Sequence, residues 1–192
     1  LRIFKQGLTE EELSAYKDDF EIQQKMFLDY PDGPESYWAL VKIARIKQLV
    51  EDYDGANQAL FLAANLSPES YLAWANLGNL NFRHYKDFVK AEEYYLNAIK
   101  PYSAQVIPYY MDLYEIYRYF YKQETTLAED ILKQGIEKYQ GVDRVTDLIS
   151  TLAYYYRETG RIEQAKEYYQ KMLEINPDSQ TAKKALSELD DF

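Results

Sequence analysis

The residues that could do chemistry in this chain are few and do not converge. One histidine is present, His84, with Lys86 two residues further on, in a polar stretch that suits an exposed turn between helices. Cysteine is absent, which removes disulfides, thiolate metal sites and a thiol nucleophile. The 32 aspartates and glutamates follow the solvated faces of helices, so no two stand out as an acid and base pair. Asp52-Tyr53-Asp54-Gly55 begins like a calcium loop, but the glycine stands at the wrong offset and the closing glutamate is missing. That segment reads as a turn between two helices. There is no glycine-rich phosphate loop, and the sequon spelling Asn65-Leu66-Ser67 is followed by Pro68. No metal, no cofactor and no catalytic residue is expected, and the chain is not expected to be an enzyme.

Recognition is the remaining class of function, and charge narrows it. The formal charge of −10 and a pI near 4.7 argue against nucleic acid and anionic membrane as partners. Residues 1–36 carry nine acids against four bases, so half of that charge lies at one end. A protein or peptide partner is expected, with a basic one the sharper reading and self-association the other. No run of 18 apolar residues exists, so no spanning segment and no direct membrane contact is expected from this part of the chain. The chain starts at Leu1, which reads as a processed or truncated beginning. Location is left open between the cytoplasm and the soluble part of an exported or membrane-attached protein. Twenty-one tyrosines, each with an apolar body and a polar tip, suit both cores and half-wet recognition surfaces.

The elements that would position such surfaces come in repeats. Residues 37–70 place Leu40, Ile43 and Ala44 in a first helix, Ala56, Leu60 and Ala63 in a second, and Pro68 at the end. The next copy has Trp74, Leu77 and Gly78, then Ala91, Tyr95 and Ala98, with about one extra residue in its inter-helix turn and a close at Pro101. Residues 146–179 supply Ile149, Leu152, Ala153 and Tyr156, then Gly160 in the turn, Ala165, Tyr169 and Pro177. A degenerate copy between them has Tyr110, Leu113 and Tyr117, then Ala128, Leu132 and Gly135, but Tyr114 fills a normally small site. Paired helices cross closely only where facing residues are small, and Gly78 with Ala91 or Ala153 with Ala165 are the expected crossings. These motifs resemble the tetratricopeptide repeat family. The resemblance implies an all-α fold, a right-handed α-solenoid of helix-turn-helix repeats with terminal capping helices.

The expected organisation is a capping helix or decayed half-repeat over 1–36, repeats over 37–70 and 71–106, the degenerate repeat over 107–145, a repeat over 146–179, and a capping helix over 180–192. In the first cap, Thr9 with Glu12 spells a capping box, and Leu13, Tyr16, Phe20, Phe27 and Tyr30 share a helical stripe. Ser179 is the expected N-cap of the last helix.

The resemblance further implies that one face of each first helix lines a concave groove that holds a peptide or helix of a partner. Transferred to this sequence, the partner-binding residues are Trp38, Lys42 and Arg45 in the first repeat and Asn76, Asn79, Phe82 and Arg83 in the second. Arg118 and Tyr119 follow in the degenerate repeat, and Tyr154 and Arg157 in the last. Amides such as Asn76 and Asn79 suit a peptide backbone, and Trp38, Phe82, Tyr119 and Tyr154 suit side chains. The family's carboxylate clamp is not reproduced: its positions hold Val41, Arg45, Asn76, Pro108 and Asp112, and Asp112 would repel a carboxylate. Tyr110, Tyr114, Tyr117 and Tyr121 recur at helical spacing and read as a buried face, with Tyr109, Arg118 and Tyr119 beside it as an exposed patch. The expected function is a protein-interaction adaptor or scaffold, with a self-assembly or tethering module as the alternative.

Overall fold

Caps and turns divide this chain into helices before any distant contact is needed. The computed structural model describes residues 1–123 and 125–190. Asp191 and Phe192, the last two residues of the expected C-terminal cap, lie outside them. Among the described residues there are ten α-helices and no strand.

The helices gather into two units, residues 1–101 and the residues from 102 on. The first holds α1 (Glu10–Asp29), α2 (Pro34–Leu49), α3 (Tyr53–Leu66), α4 (Tyr71–Asn79) and α5 (Phe88–Ala98). The second holds α6 (Ile107–Glu115), α7 (Leu127–Lys138), α8 (Val145–Glu158), α9 (Ile162–Ile175) and α10 (Gln180–Asp190).

Local chemistry sets the boundaries. The Thr9 hydroxyl accepts from the Glu12 N–H, and the Glu12 carboxylate accepts from the Thr9 N–H, which satisfies two donors that α1 leaves open. Pro34 occupies the first turn of α2, where a missing N–H costs nothing. Asp52 caps α3 by accepting from the Gly55 N–H at 3.0 Å, and its other oxygen pairs with Lys47 at 2.5 Å. Asp87 caps α5 through the Lys90 N–H, and Ser179 caps α10 through the Ala182 N–H. Asp52 of the calcium-like segment thus serves the turn between α2 and α3, and Asp54 accepts from the Tyr85 hydroxyl at 2.7 Å.

The four turns within helix pairs share one device. Glu51, Lys86, Lys122 and Gly160 stand at the corresponding place in each, with φ of 63°, 57°, 61° and 73°. In three of them this left-handed residue reverses the chain and returns the next N–H to the helix behind it, whereas in the third pair the preceding residue, Tyr121, donates to the Ile116 carbonyl. Asp52 donates to the Lys47 carbonyl and Arg161 to the Tyr156 carbonyl, each five residues back. In the second pair the bond runs from Asp87 to Asn81, six back, because α4 continues into a π-helical turn over Leu80–Tyr85. The extra residue counted in that turn is absorbed there. A similar π-helical turn, Ile116–Phe120, extends α6.

Packing departs from the expected stripe in two places. Tyr30 is 59% exposed, because α1 ends at Asp29 and Tyr30 leaves the helical wheel as its C-cap. Phe20 and Phe27 pack on the core of α2, α3 and α4, while Gln23 is the buried residue of α1 and donates to Asp19. The close approach at Gly78 is to the Tyr95 ring: a Cβ there would stand 2.6 Å from Tyr95 Cδ1. In the second unit Tyr114 is buried at the normally small site, and the close approach stands at Gly135 on α7, where a Cβ would meet Leu148 and Tyr110 at 2.5 and 2.9 Å. Tyr110 and Tyr117 are buried with it and Tyr121 is half-buried, so the tyrosine stripe is core.

Two glycines therefore fail in different ways when replaced by alanine. Gly160→Ala meets open space, so only the left-handed backbone resists, at about 1 kcal/mol. Gly78→Ala overpacks the α4–α5 contact and costs about 1–3 kcal/mol. Denaturant unfolding followed by circular dichroism measures both, and a larger cost at Gly160 than at Gly78 contradicts this account.

Candidate protein-binding faces

Each first helix buries one face and leaves the other to solvent. On α2 the buried face carries Tyr37, Leu40, Ile43 and Ala44. The opposite stripe is Trp38, Lys42, Arg45 and Leu49, all exposed, at helical spacings of four, three and four. Beside it runs a groove of about 340 Å³ between α1 and α2, walled by Tyr16 and Asp19 on one side and Lys42, Arg45 and Leu49 on the other.

On α4 the corresponding stripe is Leu72, Asn76, Asn79 and Arg83, where Asn79 and Arg83 are exposed and the other two half-buried. Asn76 uses its amide N–H on its own helix, donating to the Leu72 carbonyl at 2.8 Å. Phe82 is a correction. It is 1% exposed and packs edge-on against Phe88 at 6.0 Å, so it cannot receive a partner's side chain. The π-helical turn advances fewer degrees per residue than an α-helix and so rotates Phe82 off the solvent stripe and into the core. Arg83 lies over its ring, 4.1 Å from the centroid.

A second concavity of about 380 Å³ opens at the end of the helices, where the α1–α2 turn meets the α3–α4 turn. Trp38 forms one wall and is 53% exposed, and Tyr37, Leu66, Ser67, Ser70 and Asp32 complete it. The spacing of Trp38 flagged the wall but not the cavity, because Asp32 and Leu66 reach it from other elements. Tyr37 and Ser70, at the two ends of the first repeat, share a hydrogen bond at 2.6 Å.

In the second unit α6 and α8 are joined by rings. Arg118 lies over Tyr155 and Tyr119, at 5.1 and 5.9 Å, and Tyr114 meets both rings edge-on. Tyr119, Phe120 and Tyr154 are each about half exposed, and Arg157 pairs with Glu188 at 3.0 Å.

The second unit also holds a polar knot that the sequence did not disclose. Glu129 on α7 accepts from Lys133 at 2.6 Å, from Arg161 at 2.5 Å and from the Tyr156 hydroxyl at 2.8 Å. Arg161 also stacks on Tyr155 and Tyr156. Burial pushes the Glu129 carboxyl up, but the three donors outweigh it and hold it at about 2, against an ordinary 4.5. Burial and the bond to Glu129 push Tyr156 up to about 12. His84 is exposed and stacks on Tyr53 at 3.7 Å. Among the described residues, no group of His, Cys, Asp and Glu is arranged to hold a metal ion, and no helix is long and apolar enough to cross a membrane.

Residues 147–179, which cover most of α8 and all of α9, match the tetratricopeptide repeat family. No curated protein matches the chain by sequence. Among solved structures, BtubC from P. vanneervenii is similar over 94% of this chain and 82% of its own, with a TM-score of 0.66 and 18% identity. MamA is similar over 89% of this chain and 96% of its own, at 0.59 and 19%. Cut9 of the Cut9–Hcn1 hetero-tetramer is similar over 80% of this chain and 29% of its own, at 0.53 and 19%. At these identities the likeness is one of fold. The resemblance read from the sequence holds: this is an all-α helical repeat fold of the tetratricopeptide type, a fold that generally serves as a protein-interaction scaffold.

The knot makes stability depend on acid. A carboxyl held below its unfolded value stabilises the fold fully above about pH 4.5, and that contribution is lost as pH falls toward about 2. Glu129→Gln is expected to remove about 2–3 kcal/mol at neutral pH and to flatten the acid limb of the stability profile. Unfolding of both proteins between pH 7 and pH 2 checks this, and parallel profiles count against it.

Proposed function

We propose that this chain is a protein-binding adaptor whose exposed first-helix faces hold a peptide or helix of a partner. The α2 stripe of Trp38, Lys42, Arg45 and Leu49 beside the α1–α2 groove carries the reading. A helix with one face fully committed to the core keeps a large aromatic, two cations and a leucine on the other, at spacings that meet an extended or helical ligand along its length. The α4 stripe continues the pattern with Asn79 and Arg83. Repeats of this type are typically scaffolds and not enzymes, and Cut9, similar in fold, is itself part of a hetero-tetramer with Hcn1.

A second reading has its own observation. Tyr119, Phe120 and Tyr154 of the second unit are each about half exposed, and such uncovered rings suit contact with another copy of the chain. Light scattering across a wide concentration range decides it: growth in mass supports self-assembly, and a constant monomer excludes it.

For the adaptor, the chain and a Lys42→Glu, Arg45→Glu, Asn79→Ala variant are compared as baits in lysate of the source organism, with circular dichroism confirming equal helicity. At least one protein is expected on the parent and absent from the variant, with binding reduced tenfold or more. Identical retained proteins would place binding on another face.

A further inference from the structure

The cavity beside Trp38 has features that the helix stripe does not explain. It lies at the end of the helices, apart from the α1–α2 groove, and Trp38 stands 53% exposed at its wall although the core of α2 lies on the opposite face. The indole is held in place. Tyr37 abuts it edge-on at 5.1 Å and 79°, and the Tyr37 hydroxyl is tied to Ser70 at the start of α4. The Ser36 hydroxyl donates to the Tyr30 carbonyl and anchors the first turn of α2 to the end of α1. An aromatic face kept rigid and open is prepared for a ligand.

Charge says which ligand. Asp32 lines the cavity, and the Glu35 carboxylate folds over Gly33 at its rim, where a Cβ would stand 2.6 Å from Oε2. Asp29 and Glu69 belong to the same two turns. Neither lysine nor arginine occurs between residues 26 and 41 or between 48 and 82, so the turns carry acids with no resident base. Helix dipoles do not offset this: α1 and α3 end here while α2 and α4 begin here, so their fields oppose and the side chains set the sign. Lys42, one turn along α2, does not line the cavity.

An open indole face beside carboxylates is the chemistry that takes a guanidinium or an ammonium group. Resting on the protein-binding reading above, we infer that this cavity receives an arginine or lysine side chain from a basic segment of the partner. The cation stacks on Trp38, Asp32 and Glu35 neutralise it, and Leu66 and Tyr37 cover its aliphatic stem.

The probe is a short blocked peptide with one central arginine, set against the same peptide with citrulline, which keeps the shape and loses the charge. The chain has two tryptophans, Trp38 and Trp74, so the indole N–H signals of the ¹⁵N-labelled protein can be followed separately. The Trp74 indole N–H donates to the Pro68 carbonyl at 2.9 Å and reports that the α3–α4 turn is intact in each variant. The arginine peptide is expected to shift the Trp38 signal saturably at low salt, with citrulline inert. Asp32→Asn should weaken binding about threefold to tenfold, and Trp38→Leu should abolish the response of neighbouring amides. An unmoved Trp38, equal shifts from citrulline, or shifts spread evenly over the acidic surface would overturn the inference. The two readings fail separately. Loss of the lysate partner in the Lys42, Arg45, Asn79 variant with an unmoved Trp38 keeps the adaptor and removes the cation site. A Trp38 response with no partner lost keeps the cation site and removes the α2–α4 face.

Discussion

The close approach of paired helices is the constraint on which the rest depends. At Gly78 the backbone of α4 comes so near the Tyr95 ring that a methyl group would clash, and Gly135 plays the same part against Tyr110 and Leu148. A helix of nine to sixteen residues is marginal alone and becomes stable when one face is buried against neighbours. Small residues bring the axes together and large rings fill the spaces beside them. In the second unit Tyr114 is buried at the usual small site, and the close approach stands at Gly135 on α7.

What each helix can offer a partner is what packing leaves over. Once Tyr37, Leu40, Ile43 and Ala44 are committed to the core, Trp38, Lys42, Arg45 and Leu49 must face water. The inter-helix turns add their own demand, a left-handed residue at each reversal. Three of the four turns meet it without glycine, so those turns carry some strain that the packing of the helices must offset. In the second unit the burden of alignment is shared by Glu129, whose three donors come from α7, from α8 and from the turn before α9. Arg161, one of those donors, stacks on Tyr155, over which Arg118 also lies, and so joins the knot to the ring cluster.

Much of this was legible because it follows from short-range rules. The Thr9–Glu12 capping box, Ser179 as N-cap, Gly160 in its turn and the buried tyrosine stripe of α6 are each fixed within a few residues by hydrogen-bond geometry or helical period. Tyr30 was misread because periodicity does not announce the residue where a helix stops. Phe82 was misread because a π-helical turn changes the angular step midway, and the wheel drawn from an unbroken α-helix then assigns the wrong face.

The sequence by itself determined the class: helix pairs of tetratricopeptide type, an acidic chain without cysteine, and the stripe of each first helix. These depend on residue type and spacing along one element. Only the tertiary structure decided which of those residues remain open, that the Tyr95 ring presses on Gly78, and that Glu129 gathers three donors. It also brought Asp32, Trp38 and Leu66 to one cavity. Such contacts join residues tens of positions apart, and no local period encodes them, because they arise only when the turns have set the helices side by side.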